Sequence, residues 1–179
     1  MLNPIAHVFK GELDRTHALD EHLLGVAKLA SHFAADFDAG QWCYLAGLWH
    51  DLGKYSKDFQ QYIRSASGFE SHLVDDIPGK VNHSTAGALQ AIKAFGNAGL
   101  PLAYLIAGHH AGLADWAGDR AGASSLANRM SGEESEHLLQ KALAALPEDH
   151  ILKAELPAFQ PASFGHIKGL PLWIRMLFS

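Results

Sequence analysis

The chain has little cysteine, no long apolar run and no excess of basic charge, and each shortage closes off a class of protein. One cysteine, Cys43, in 179 residues can neither close an intrachain disulfide nor build a CxxC metal knuckle. The longest apolar run, near Leu100 to Ala107, falls far short of the roughly 18 residues that span a bilayer. The opening MLNPIAHVFKG has no secretory apolar core, so the reading is a cytoplasmic protein with no membrane partner. A net charge of −5 and a pI near 6.1 argue against a strongly basic nucleic-acid footprint. A metal cluster or a basic partner domain would have to supply the missing positive field. Glycine and proline, 17 and 7 residues, show no collagen or linker bias, and 48% hydrophobic against 18% charged residues is too apolar for disorder. No repeat, low-complexity tract or period-2 run of consequence is visible, so the expected class is all-α, one domain over residues 1–179.

Histidine is what the chain has in plenty. Its 12 residues nearly match the 14 Lys plus Arg, and imidazole is both the commonest metal ligand and the side chain most easily tuned near neutral pH. Leu19, His22, Val26, Leu29 and Phe33 recur at steps of three and four, which predicts one helical stripe between about Thr16 and Asp36. Gln41 to Tyr55 is apolar on nearly all sides, as expected of a helix surrounded by others. Ser56 to Ser65 reads as an amphipathic helix and 66–81 as a loop. Helical spacing resumes from about His83 to Phe95, and again from Pro101 to about Ala111. Residues 112–130 are rich in Gly, Ala, Asp and Ser, with Trp116, Arg120 and Arg129 interspersed. Ser131 to Glu134 reads as a capping box for a helix to about Leu146. A last helix is expected from about Phe164 to Phe178, and its apolar end suggests a domain that continues past Ser179.

On the central helix Trp42, Leu45, Trp49 and Leu52 fall on one side, and Gly47, His50, Asp51 and Lys54 on the other. The missing side chain of Gly47, one turn before His50 and Asp51, is expected to leave room for an ion and its waters. His22, His109 and His110 sit in apolar stripes and should point inward, where both ring nitrogens need partners. Taken singly, each reads as a satisfied core histidine. Several converging on one carboxylate are satisfied most simply by sharing cations. His83 opens a helix, where the dipole favours neutral, metal-binding imidazole. Five imidazoles and a carboxylate suit one or two divalent transition ions, Mn, Fe, Co, Ni or Zn, better than Ca, with Mg admitted. His7, His17, His32, His72, His137, His150 and His166 fall outside this pattern and read as surface or local hydrogen-bonding residues.

The order His22, His50-Asp51 in LWHDLGK, His83 in NHSTAG and His109-His110 in GHHAGL resembles the HD-domain metal-dependent phosphohydrolases. The stretches HDLGKYSKDFQQYI, HSTAGA and GHHAGLADW together resemble the N-terminal HD nuclease domain of the CRISPR-associated helicase-nuclease of type I interference systems, over about His17 to Trp116. That resemblance implies an HD-domain helical bundle with the metal site at its centre, hydrolysing single-stranded DNA. It implies one ion among His22, His50 and Asp51 and a second among Asp51, His83, His109 and His110, with Asp51 bridging. It also implies a further Asp on or after the last helix, and no acid stands between Phe164 and Ser179. Either the chain is an N-terminal fragment of a longer helicase-nuclease that stops before that Asp, or the first ion is weakly held and activity impaired. The chain's partners would be the helicase domain, the single strand and the RNA-guided surveillance complex.

Lys54, one turn after Asp51, is placed either on a phosphate oxygen or on Asp51. Trp116 and Arg120 are candidates to stack a base and grip the backbone. Two further readings stand beside the nuclease. One is an HD enzyme acting on nucleotides or cyclic nucleotides, and the other is a catalytically impaired HD docking module.

Overall fold

The structure, a computed structural model, describes residues 3–10, 15–66, 82–110, 112–113, 115, 125–147, 151–155, 157, 174 and 177. Two short strands open it, β1 (Ile5–Phe9) and β2 (Arg15–Ala18). They pair antiparallel with His7 opposite His17 and Phe9 opposite Arg15. The helix expected from Thr16 therefore begins three residues later. The strands are too short for alternation alone to betray them, and they are held by tertiary contacts instead. The Gln60 amide donates to the Ile5 carbonyl at 2.9 Å and accepts from the Ile5 N–H at 2.9 Å. The Leu19 N–H donates to the Pro4 carbonyl at 2.9 Å.

Helix α1 (Leu19–Phe33) carries Asp20 and Glu21 in its first turn, where they favour the positive end of the dipole. Its buried row is Leu19, Leu23 and Ala27, while Leu29 and Phe33 are 54% and 68% exposed. The stripe read from sequence is thus rotated. The reason lies in α2 (Gly40–Trp49): a Cβ on Gly47 would sit 2.7 Å from Ala27 Cα, so the close approach of the two helices selects the Ala27 row for the core. The apolar run of α2 stops at Trp49 instead of Tyr55. His50 and Asp51 form a turn, and Leu52–Tyr55 is a separate 3₁₀ turn.

Next come α3 (Lys57–Ala66), α4 (Ser84–Phe95) and α5 (Leu100–Gly108), whose Pro101 lies in the first turn. Two more follow, α6 (Leu126–Met130) and α7 (Glu133–Ala145). Ser125 caps α6, its hydroxyl accepting from the Asn128 N–H at 3.2 Å. The expected capping box on α7 is absent. Its N-cap is Gly132 with no side-chain bond, and the Ser131 hydroxyl instead donates to the Asn128 carbonyl at 3.3 Å. The intervening α6 uses the serine.

Helix α1 packs along α2, α4 against α5 and α7, and α2 against α5, with the hairpin resting on α1 and α3. The result is an all-α bundle with one small sheet. Trp49 is fully buried at its centre, stacked on Phe95 at 5.6 Å, its indole N–H donating to the Ile151 carbonyl at 2.7 Å. No helix among the described residues is long and apolar enough to cross a membrane. The loop reading for 67–81 lies outside the described residues. So does the helix expected over 164–178, except that Ile174 and Leu177 are helical.

Candidate metal centre

The turn that ends α2 aims Asp51 into the bundle, 2% exposed. Around it stand residues from four other places: His22 on α1, Lys54 on the 3₁₀ turn, His83 at the start of α4, and His109-His110 at the end of α5. Asp51 Oδ2 lies 3.2 Å from His22 Nε2, 3.0 Å from His50 Nε2 and 2.8 Å from Lys54 Nζ. Asp51 Oδ1 lies 3.4 Å from both His83 Nε2 and His109 Nε2. His110 joins on the far side, its Nε2 2.7 Å from His83 Nε2. Two ligand sets share Asp51, one with His22 and His50, the other with His83, His109 and His110. In each set the ligating atoms lie within 4.8 Å of one another.

The tautomers follow from the carbonyls behind the rings. His50 Nδ1 is 2.7 Å from the Gly47 carbonyl and His109 Nδ1 is 2.6 Å from the Ile106 carbonyl. A carbonyl only accepts, so each Nδ1 carries the proton and each neutral ring turns the lone pair of Nε2 toward Asp51. Lone pairs facing carboxylate oxygens repel unless a cation lies between them. Asp51 Oδ1 and His109 Nε2 are both buried and both lack a hydrogen-bond partner, a costly state that a bound divalent ion removes. The residues present therefore fit a metal, and the mixed nitrogen and oxygen donors suit a borderline transition ion.

Burial opposes charge on Asp51. Lys54 is itself buried, and its Nζ also donates to the Ala6 carbonyl at 3.3 Å. It ties Asp51 to β1, the second of the two placements that the sequence left open for it.

Gly47 has a packing role that the sequence did not reveal: its missing side chain makes space for the backbone of α1, while the residue also lines the cavity beside His50 and His109. Gly53 has a comparable role. Its N–H donates to the His83 carbonyl at 3.2 Å, and any Cβ there would run into that oxygen, so glycine is what lets α4 bring His83 up to Asp51.

Arg129 on α6 was also overlooked. Its guanidinium donates to the Ala107 carbonyl at 3.3 Å and to the Ser84 and Thr85 hydroxyls at 3.2 Å each. It thereby joins the end of α5, which carries His109 and His110, to the start of α4, which carries His83. His7 and His17, set aside as surface residues, have rings 4.7 and 5.5 Å from that of His22. The strands that bring them there are too short for alternation to mark, so the local sequence carries no signal for this placement. Trp116 and Arg120 lie outside the described residues, as do His72, His150 and His166.

A cavity of about 280 Å³ opens beside the centre, walled by Val26, Cys43, Ala46, Leu105 and the rings of His50 and His109. A larger one, about 580 Å³ between Leu24, Tyr44, Leu48 and Lys153, contains none of these groups and has no evident part in the chemistry.

None of the curated proteins matches the chain. The model of the HD domain matches residues 19–153, well over half the sequence and the whole of the histidine cluster. With that match and with five imidazoles gathered on one buried carboxylate, the chain belongs to the HD domain family and to its metal-dependent phosphohydrolases.

Proposed function

We propose that this chain hydrolyses the phosphodiester bonds of single-stranded DNA. Two divalent ions would be held, one by His22, His50 and Asp51, the other by Asp51, His83, His109 and His110. The observation that carries the reading is the convergence of four imidazole nitrogens, of His22, His50, His83 and His109, on the two oxygens of a single buried carboxylate. Bound there, such ions supply a nucleophilic hydroxide near neutral pH and neutralise charge that develops on the phosphate oxygens.

The protein's own groups set the frame for that chemistry. Asp51 would be shared by the two ions, and its turn at the end of α2 fixes it between the two sets. The Gly47 and Ile106 carbonyls hold His50 and His109 in the ligating tautomer. Lys54 orients Asp51 Oδ2 and offsets part of its charge. The choice of single-stranded DNA over a mononucleotide or cyclic nucleotide rests on the four ordered motifs and their likeness to the nuclease domain of the type I interference helicase-nuclease. The same likeness carries a helicase domain and the RNA-guided surveillance complex as partners.

The test is hydrolysis of single-stranded DNA by the purified chain loaded with Mn or Ni, beside a chelated control. We expect metal-dependent cleavage that the chelator abolishes. Turnover of mononucleotides or cyclic nucleotides with DNA left intact would replace the substrate. No bound transition metal, with a melting temperature indifferent to chelation, would leave a docking module and end the enzymatic reading.

A further inference from the structure

We propose that the outward face of the β1–β2 hairpin, carrying His7, Phe9, Arg15 and His17, is the track on which a single-stranded polynucleotide lies as it reaches the metal centre. This rests on the phosphodiesterase reading above. Residues directly opposite in an antiparallel pair share a face, as do residues two apart on one strand. The register sets His7 against His17 and Phe9 against Arg15. One face thus presents two imidazoles and then, two residues or about 6.8 Å further along the strand, an aromatic ring beside a guanidinium.

The near end of this face adjoins the metal centre. His7 meets the ring of His22 edge-on at 4.7 Å and His17 does so at 5.5 Å, while His22 Nε2 is 3.2 Å from Asp51 Oδ2. The far end is open. Phe9 is 58% exposed, its ring 6.3 Å from that of His7, and Lys10 and Arg15 are exposed beside it. An exposed aromatic ring with cations around it is what a single strand requires, since every base has a π-face to stack and every linkage an anionic oxygen to contact.

The hairpin is also held in place relative to the centre. Lys54 Nζ touches both Asp51 Oδ2 and the Ala6 carbonyl, and Gln60 brackets Ile5 from both sides. Lys10 and Arg15 are matched by Glu12 and Asp14 between the strands, so the exposed ring of Phe9 with Arg15 opposite it, more than net charge, gives a polyanion a defined path. A mononucleotide at the centre would not extend to Phe9 and Arg15, so the pair favours a chain of nucleotides.

The experiment compares the wild type with Phe9→Ala and Arg15→Gln, both at exposed positions where melting temperature should hold. Three quantities are read: binding of a fluorescein-labelled oligothymidylate to metal-free protein, hydrolysis of bis(p-nitrophenyl) phosphate by Mn-loaded protein, and bound metal per chain. Phe9→Ala should weaken strand binding about fivefold or more, as expected for loss of one base-stacking ring. Arg15→Gln should lower the salt slope of binding by about one. Small-diester hydrolysis and metal content should stay at wild-type values. Unchanged strand affinity in both variants, or a wild type that does not bind the strand, overturns the track, and so does an equal loss on the small diester. If the Mn-loaded wild type does not hydrolyse the diester while Phe9→Ala still weakens strand binding, the phosphodiesterase reading fails and the strand-binding face stands.

Discussion

His109 Nε2 stands 3.4 Å from Asp51 Oδ1 while the ring's proton lies on the opposite nitrogen, held by the Ile106 carbonyl at 2.6 Å. Two acceptors therefore face each other in a buried space. The arrangement costs stability in the metal-free chain and is relieved when a cation enters, so metal binding and folding are coupled at this point. An ion present at 100 times its dissociation constant adds about 2.7 kcal/mol. In a domain of this size that corresponds to a melting temperature roughly 5–10 °C higher than in chelator.

Asp51 belongs to both candidate ligand sets and also pairs with Lys54, and the two duties are separable. Asp51→Ala should abolish measurable metal by elemental analysis. It should also destabilise the metal-free chain by about 3–5 kcal/mol, because Lys54 is left buried without its counter-charge. The double variant Asp51→Ala, Lys54→Met should recover most of that stability in urea unfolding and none of the metal. Metal retained in either variant would remove Asp51 from its bridging place.

Arg129 reaches no proposed ligand directly, yet it binds the carbonyl of Ala107 and the hydroxyls of Ser84 and Thr85 on the two helices that bring His83 and His109 together. Arg129→Met should weaken the ion at the His83, His109 and His110 set about 10–100-fold, as outer-shell losses do. The His22 and His50 set should be spared. Arg129→Lys, a point donor in place of a planar fork, should not restore affinity. Titration calorimetry resolving two events checks this, and equal weakening of both would count against it.

Gly47→Ala should cost about 1–3 kcal/mol through overpacking against α1. The contact lies at Ala27 Cα, 2.7 Å from the new methyl group. Urea unfolding measures the loss. A stable Gly47→Ala that had lost metal would mean that the glycine makes room for an ion as well.

Burial raises the Cys43 thiol from 9.0 to about 11. A raised folded value means that the neutral thiol contributes stability in full below pH 9 and loses it as pH climbs from 9 toward 11. The native chain should resist thiol reagents across that lower range and react once unfolded. Replacing Cys43 by Ala should flatten this part of the stability profile. Rapid labelling of native protein at pH 8 would contradict it.

Helix periodicity, the identity of the residues that gather at Asp51 and their order along the chain were all readable from the sequence. These are local properties, set by side-chain type and by a repeat of 3.6 residues. The bundle followed from them, as did the gathering of His22, His50, Asp51, His83, His109 and His110. Other features were decided only by how distant segments meet. The packing role of Gly47 was hidden because nothing in its neighbourhood along the chain reveals that Ala27 lies against it. Leu29 and Phe33 fit a helical stripe, yet the close approach at Ala27 turned the helix and left them in solvent. His7 and His17 became neighbours of His22 through a hairpin held by Gln60, and Arg129 became a clasp across two helix ends. Each depends on contacts between residues far apart in sequence, whose partners are chosen by packing the whole core at once.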